Sequence, residues 1–492
     1  MLVTLVACYF AVTICIGFYA ARRVKNSADY LVAGRSLPLY MNTATVFATW
    51  FGAELILAVS STFLKEGLQG VVGDPFGAAF CLIFVALFLA APYYRLKLMT
   101  VGDFYKKRYN RTVELASAAA ISISYLGWSS ANLVALGIVI HTVSGNAITL
   151  EQGIVLGAVI VGVYTLFGGM WSVAFTDLFQ TVIIVAGLIY IAWMLAGMAG
   201  GVDKVVATAQ ASDRLKFFPG ASLHDWLGFI AAFVTMALGS VAQQDVFQRV
   251  TSARTEKIAR QGTLLGGSLY LLMAFIPMFI AVSALLIDPA MVKQMLSNEN
   301  DFQQVLPTLI LQRTPLFAQV LFFGALLSAI LSTASGTLLA PTAVITENVI
   351  QPLWGHKLSD RKMLVLLRLI LIGFTCCVTL FALQSESSMY QMVQDAYKVT
   401  LVAAFTPLVF GMFWRRATPQ GALLSMFCGV VAWQYAEHFM SDALVPPQLV
   451  GLGSAIVGMI VGSLAPTLMG GQGHPEIVDQ ARQPEVADNP PA

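Results

Sequence analysis

The stretch GALLSAILSTASGTLLAPTAVITEN, residues 324–348, decides how the chain is read. At 100° per residue, Ser328, Ser332, Ser335, Thr342 and Thr346 fall on one helical stripe, within about 40° of its centre. Around that stripe stand Leu, Ala, Ile and Val, so the helix belongs in lipid or among other lipid-embedded helices. Ser332 and Thr333 place two hydroxyls side by side, and the small Ala329 lies one turn earlier. Uncharged hydroxyl and carbonyl oxygens suit a desolvated alkali cation, which oxygen dipoles hold. The same hydroxyls also suit bonding back to the i−4 carbonyl, or holding helices together.

The rest of the chain fits that setting. Of 492 residues, 58% are hydrophobic and 11% charged, where soluble chains carry about 25% charged residues. With a mean hydropathy of +0.76, the composition is that of a polytopic α-helical membrane protein. The formal net charge of +2 and the lack of any basic cluster interleaved with aromatics give no sign of nucleic acid as a partner. All six cysteines sit in apolar runs without CxxC spacing, and the five histidines are scattered, so neither a disulfide framework nor a metal cluster is expected.

Apolar runs of about 20 residues fall near 2–21, 39–62, 70–93, 113–142, 148–167, 173–198, 224–247, 262–286, 315–350, 363–383, 391–413, 420–438 and 447–469. This predicts about thirteen transmembrane helices. Arg22, Arg23 and Lys25 follow the first run rather than precede it, which reads as a retained span with its N-terminus outside. Nineteen Lys and Arg then fall in loops on the cytoplasmic side, against Lys65, Lys204, Arg214, Lys216, Lys293 and Arg313 outside, which puts the C-terminus in the cytoplasm. Residues 1–469 form the transmembrane domain. Segments 201–223 and 288–314 read as interfacial helices, and 470–492, polar and Pro-rich, as a disordered tail. Without a GxxxxGK[ST] motif or a soluble domain for ATP hydrolysis, primary pumping by this chain is not expected.

Two spans carry interruptions. ATWFGAE, 48–54, puts a glycine, two bulky aromatics and a carboxylate in mid-span; ALGSVAQQD, 237–245, is likewise glycine-broken and polar. They are the first and sixth helices if spans two to eleven form two five-helix repeats, about 38–198 and 224–413, with 2–21, 420–438 and 447–469 peripheral. Breaks at corresponding places in two halves point to a binding site, because unwound backbone at membrane depth must line a cavity. Trp50 and Trp128, in YLGWSSAN (125–132), suit stacking on an apolar or cationic ligand, to which Glu54 adds charge. Each also fits ordinary packing. Asp177, after Gly168 and Gly169, fits either a helix start or an ion pathway. Arg368 and Lys398 read as snorkelling side chains.

Four stretches in order, ADYLVAGRSL (28–37), YTLFGGMWSVAFTDLFQ (164–180), QDVFQRVTSA (244–253) and SAILSTASGT (328–337) with ITEN, resemble the sodium:solute symporter family. The resemblance covers nearly the whole chain. It implies a LeuT-like fold of inverted five-helix repeats and sodium-coupled import of a small organic solute by alternating access. It also implies a cell-membrane location and no enzymatic activity. Carried over, the co-transported sodium would take backbone carbonyls of Ala48, Phe51 and Ala329 and the hydroxyls of Ser332 and Thr333, with Asp177 helping it bind or leave. For the solute the resemblance is divided. Trp50 stands where sodium/proline carriers have an aspartate, and ATWFGAE with Trp128 is similar to choline carriers. Yet Gln243 and Ala78 stand where those carry a tryptophan and a tyrosine. Trp50, Glu54, Trp128 and Gln243 are the expected solute contacts, and an amino acid such as proline or a choline- or betaine-like amine fits them. A proton-coupled carrier on the same fold and a non-transporting membrane sensor are the alternatives.

Overall fold

A computed structural model describes residues 2–297, 302–354, 358–385, 387–440, 443–466 and 474–483. Helices account for all the regular elements among them, and the one β-contact is an isolated parallel bridge, Leu37 to Ala253. In chain order the main helices are α1 (Leu2–Ala21), α2 (Leu39–Trp50), α3 (Glu54–Gly70), α4 (Val72–Leu96), α5 (Arg111–Val143), α6 (Leu150–Ala199) and α7 (Leu223–Gly239). They continue with α8 (Gln244–Thr251), α9 (Glu256–Ile287), α10 (Leu316–Val344), α11 (Asp360–Gln384), α12 (Met389–Phe413), α13 (Pro419–Phe439), α14 (Pro447–Leu464) and α15 (Glu476–Arg482).

Ten helices among the described residues are long and apolar enough to cross a membrane, and α2 with α3, bent by 53°, adds an eleventh span. Two further features bring this to the thirteen expected. α6 runs for 50 residues but is broken at Gly169 (φ 49°, ψ −141°), which makes two arms of it. α13, with 21 residues, spans about 30 Å, the thickness of the hydrocarbon layer.

Hydroxyl and amide side chains cap the N-terminal ends of several helices. Asn110 accepts from Val113 N, Thr149 and Gln152 form a reciprocal capping pair, and Ser388 with Gln391 forms another. Such caps satisfy N–H groups that the first turn leaves without partners. In α10, every residue from 325 to 344 is buried, so the helix is enclosed by protein rather than by lipid. Its C-terminal extension, Ile345–Ile350, carries Asn348, whose Nδ2 donates to Asp103 (3.0 Å) and Glu114 (2.9 Å) while its Oδ1 accepts from Thr100 (2.7 Å). This ties the ITEN motif to the start of α5.

The ends of the two broken helices meet on the face read as cytoplasmic. Leu37 N donates to Ser252 O and Arg254 N to Leu37 O, both at 3.0 Å. On the other face, Val202–Ala211, Pro289–Leu296 and Val305–Arg313 are short helices in the two segments expected to lie at the interface.

The tail differs from expectation within its described part. Residues 474–483 include α15, which buries Ile477, Val478 and Ala481. Its last carbonyls, Ala481 O and Arg482 O, accept from Arg95 Nη1 at 3.1 and 3.0 Å, and Asp479 pairs with Arg415 at 2.6 Å. A composition rule averages over the polar, Pro-rich stretch and misses one apolar face and a waiting guanidinium. The other expected tail residues, 470–473 and 484–492, lie outside the described residues.

Gly169 must stay glycine for two reasons. Its backbone lies where a side chain is strained, and a Cβ would press on Tyr30, 2.7 Å from its ring. Gly169→Ala is therefore expected to lower the melting temperature by about 3 °C or more. Gly197→Ala, where an added Cβ meets nothing within 4 Å, should leave it unchanged or slightly raised. Fluorescence-detected thermal unfolding of both in detergent checks the pair.

Candidate functional site

The break between α2 and α3 is built by local chemistry. Phe51 N still donates to Phe47 O at 2.9 Å, but Phe51 then adopts φ −81°, ψ 73° and leaves the helix. Gly52 N turns back to Trp50 O at 3.0 Å. In a continuous helix that N–H would bond to Ala48, so the Ala48 carbonyl has lost its ordinary partner. The turn of Phe51 likewise rotates its carbonyl off the helix axis.

α10 closes on this break. A methyl group on Gly52 would stand 2.8 Å from Thr333 Oγ1, so the glycine lies directly against that hydroxyl. Thr333 Oγ1 donates to Ala329 O at 3.1 Å. Ala48, Phe51, Ala329 and Ser332 are 0% exposed and Thr333 1%, so these oxygens lie away from bulk water. The structure brings the five expected ion-site residues to the α2–α3 break and the α10 segment packed on it.

Ser332 differs from Thr333 in its partner. Its hydroxyl donates to Asp177 Oδ1 at 2.5 Å, and Thr45, on α2, donates to Asp177 Oδ2. Asp177 is thus not a remote carboxylate at a helix start: it lies eight residues into the second arm of α6, wholly buried, bridging α2 and α10. Thr45 is missing from the expected set because nothing near it in sequence marks it as a partner of a residue 132 positions away.

The second break, Ser240–Ala242 followed by extended Gln243, separates α7 from α8. Gln243 Nε2 donates to Ser124 Oγ (3.0 Å) and Thr400 Oγ1 (3.4 Å), so its amide spans α5 and α12. Next to both partners stand aromatic rings. Trp50 and Trp128 lie 5.9 Å apart, and Tyr397 stacks on Trp50 (6.3 Å, 13°) and tilts against Trp128 (5.5 Å, 53°). Tyr125 stacks on Trp128 at 5.9 Å, and its hydroxyl bonds Asp245. The expected pair of tryptophans is therefore a four-ring cluster, with two tyrosines that an ordinary apolar context concealed.

A cavity of about 10 Å³ lies against Trp50, lined by Val46, Leu82, Val246, Arg249 and Thr263, roughly the volume one water needs. Arg249, 2% exposed, donates from Nε to Thr49 Oγ1 at 3.1 Å and lies in the electrostatic field of both Asp177 and Asp245. On the other side of the break Glu54 Oε1 is buried without a hydrogen-bond partner. Its electrostatic neighbour is Asp74, 3% exposed and bonded by Tyr270. Asp74 is missing from the sequence-based set, although a carboxylate inside the run VVGDPFG marks it.

The sodium:solute symporter family model matches residues 30–429. The chain is 26% identical over 444 residues to the high-affinity proline transporter PutP of Bacillus subtilis (strain 168), covering 87% of this chain and 91% of that protein. It is 23% identical over 437 residues to the high affinity choline transporter 1 of Homo sapiens, covering 86% and 74%. Among solved structures it is similar to a substrate-bound outward-open Na+-coupled sialic acid symporter, with TM-score 0.80 and 18% identity over 94% of this chain and 98% of the other. It is also similar to Mhp1, a nucleobase-cation-symport-1 family transporter in a closed conformation with bromovinylhydantoin bound (TM-score 0.60, 13% identity, 88% and 93% covered). The architecture is the LeuT-like fold.

The Gly52–Thr333 contact yields a direct test. Gly52→Ala is expected to fold and reach the membrane, yet to need about tenfold more sodium for half-maximal response, since overpacking costs about 1–3 kcal/mol. Sodium titration of solute uptake against a surface-expression control measures it.

Proposed function

The chain belongs to the sodium:solute symporter family and is a sodium-coupled importer of a small organic solute, and we propose how its residues carry out that transport. Sodium is held between the α2–α3 break and α10 by the carbonyls of Ala48, Phe51 and Ala329 and the hydroxyls of Ser332 and Thr333. The observation that carries this reading is the contact of Gly52 with Thr333 beside a carbonyl, Ala48, that the break has released. Neutral oxygens suit sodium because they replace its hydration shell without fixing a counter-charge that would hold it too tightly to leave.

Asp177 serves the ion's pathway. With Ser332 and Thr45 donating to it, the carboxylate lies one hydrogen bond from the ion site and attracts the cation as it moves off. The solute binds at the ring cluster once the rings separate: Trp50 and Trp128 as walls, Gln243 as a polar floor, Glu54 facing it from α3. An amino acid such as proline and a choline- or betaine-like amine are the two classes that the relatives' names suggest.

Coupling follows from the shared element. Sodium fixes the break from the α10 side, and the solute touches Trp50 and Glu54 of the same break, so each ligand orders what the other needs. Such coupling is reciprocal: sodium raises solute affinity by the same factor as solute raises sodium affinity. Alternating access is then rigid movement of one helix bundle against the other about this fixed site. The protein lies in the cell membrane with its N-terminus outside and its C-terminus in the cytoplasm.

One observation favours proton coupling as the second reading: Asp74 and Asp177 are carboxylates buried at membrane depth, and Oε1 of the half-buried Glu54 is buried as well. Two measurements separate the readings. In detergent, sodium should raise the melting temperature above that in potassium at equal ionic strength, and Ser332→Ala with Thr333→Ala should abolish the difference. In proteoliposomes, solute uptake should stop in sodium-free buffer at a fixed pH gradient. Uptake that persists there, with no sodium-specific thermal shift, would establish proton coupling instead.

A further inference from the structure

We infer that α15 is a releasable clamp on the transport cycle. Docked, it holds α4 and α9 to the end of α12 and keeps the face read as cytoplasmic closed; detached, it lets that face open. The inference goes beyond the sodium and solute sites and rests on alternating access alone.

Two packed units meet on that face. α9 lies on α2 and α4: a Cβ on Gly266 would stand 2.7 Å from Val46, and one on Gly267 2.7 Å from Leu82. Arg95, at the end of α4, grips the start of α9 by a two-pronged bond to Glu256 at 2.8 and 2.7 Å. The other unit is built on α12. A Cβ on Gly127 of α5 would press on Met392 O at 2.7 Å. The short helix Val101–Arg108 is fixed to α12 by Tyr105 Oη to Ala404 O (2.8 Å) and Arg108 Nε to Gly411 O (2.9 Å), and Tyr109 Oη adds a bond to Pro407 O (2.7 Å).

α15 bonds to both units. From the first, Arg95 Nη1 donates to the last two carbonyls of α15, where the end of a helix favours a cation. On the second, Arg482 Nη2 donates to Phe413 O at 3.1 Å, Asp479 pairs with Arg415 at 2.6 Å and His474 N donates to Arg108 O at 3.0 Å. Ile477, Val478 and Ala481 are buried in the dock. Because Arg95 holds α15 and Glu256 at once, drawing α4 and α9 away from α12 pulls directly on α15.

The clamp is built to let go. Seven residues are too few for a lasting helix, since isolated helices shorter than about 12–15 residues are marginal in water. α15 therefore persists through its docking. Its ion pair is weak as well, with the Arg415 and Asp479 side chains 62% and 41% exposed. Once free it stays near: Thr418 N donates to Ser463 Oγ at 3.2 Å, so the end of α14 delivers the chain beside the end of α12, and such a tether favours redocking.

The test uses full-length protein in lipid nanodiscs, in potassium without sodium or solute. Nitroxides carried by noncanonical residues at 257 and 416 report the separation of the two units, and at 257 and 480 the position of α15. Lys257, Arg416 and Gln480 are exposed and suit labelling. Pulsed electron-spin resonance should give one narrow 257–480 distance in wild type. Val478→Asp, which puts a charge into the apolar dock, and Asp479→Lys, which sets a cation against Arg415, should each spread that distance. In both, the fraction of protein with a longer 257–416 separation should rise about threefold or more. The inference is overturned by a broad 257–480 distribution in wild type, or by one that stays narrow in both variants. It is equally overturned if α15 detaches while 257–416 keeps its wild-type distances. Should Val478→Asp fail to fold, Asp479→Lys alone decides by the same readings. No reading involves sodium or solute, so failure here leaves those sites to their own tests.

Discussion

The structure depends on one constraint, that a peptide group at membrane depth must have a partner. Water is absent there, and each unsatisfied N–H or C=O costs several kcal/mol, on the order of a large fraction of total stability. A broken helix can persist only where side chains, other backbone or a passing ligand replace the lost bonds. α2 and α3 meet it by turning Gly52 N back to Trp50 O and by resting the break on Thr333 of a helix buried along twenty consecutive residues, 325–344. The rigidity of α10 thus makes the irregularity of α2 tolerable, and that irregularity supplies the carbonyls.

Charge distribution follows the same logic. In the region of the second break, Arg249 shares a field with Asp177 and Asp245, and each of these carboxylates accepts a hydroxyl: Asp177 from Ser332 and Thr45, Asp245 from Tyr125. That cluster joins α2, α5, α6, α8 and α10, and it leaves Arg249 Nη2 and Asp245 Oδ2 without hydrogen-bond partners. Across the first break, Glu54 Oε1 is likewise buried without one. Groups of this kind at membrane depth are kept where an ion or solute passes.

Much of the architecture was legible in the sequence because membrane burial imposes a simple code of length, hydropathy and loop charge. The hydroxyl stripe of α10 follows from helical period alone, and the two breaks from glycine and polar residues in mid-span. The less legible parts are those that depend on which helices touch. Thr45 meets Asp177 across 132 positions, Tyr125 meets Asp245 across 120, and Tyr397 reaches Trp50 from the far end of the second repeat. No local pattern distinguishes these residues from packing tyrosines and threonines. α15 was hidden for the opposite reason, since its binding surface lies in Arg95 and Arg415 rather than in its own composition.

The contacts on the face read as cytoplasmic bear on how the two repeats part. Leu37 is laced to Ser252 and Arg254, Gln248 Nε2 donates to Leu31 O at 3.2 Å, and Tyr94 Oη donates to Arg254 O at 2.8 Å. They fasten the approaches to α2 and α8, the two helices whose breaks face each other across the ring cluster. α15 adds a strap from Arg95, at the end of α4, to Arg415, just beyond α12. Parting the two repeats on this face breaks backbone bonds as well as the strap, while the ring cluster is held by stacking together with the bonds of Tyr125 to Asp245 and of Gln243 to Ser124 and Thr400. Ring contacts are each worth about 0.5–1.5 kcal/mol, comparable with one net hydrogen bond. The face with the short helices is laced as well: Leu68 N donates to Arg214 O at 2.8 Å and Arg214 Nε to Leu64 O at 3.0 Å. A bound ion that stiffens the α2–α3 break therefore acts between two fastened faces, on the one element whose own backbone bonds are already broken.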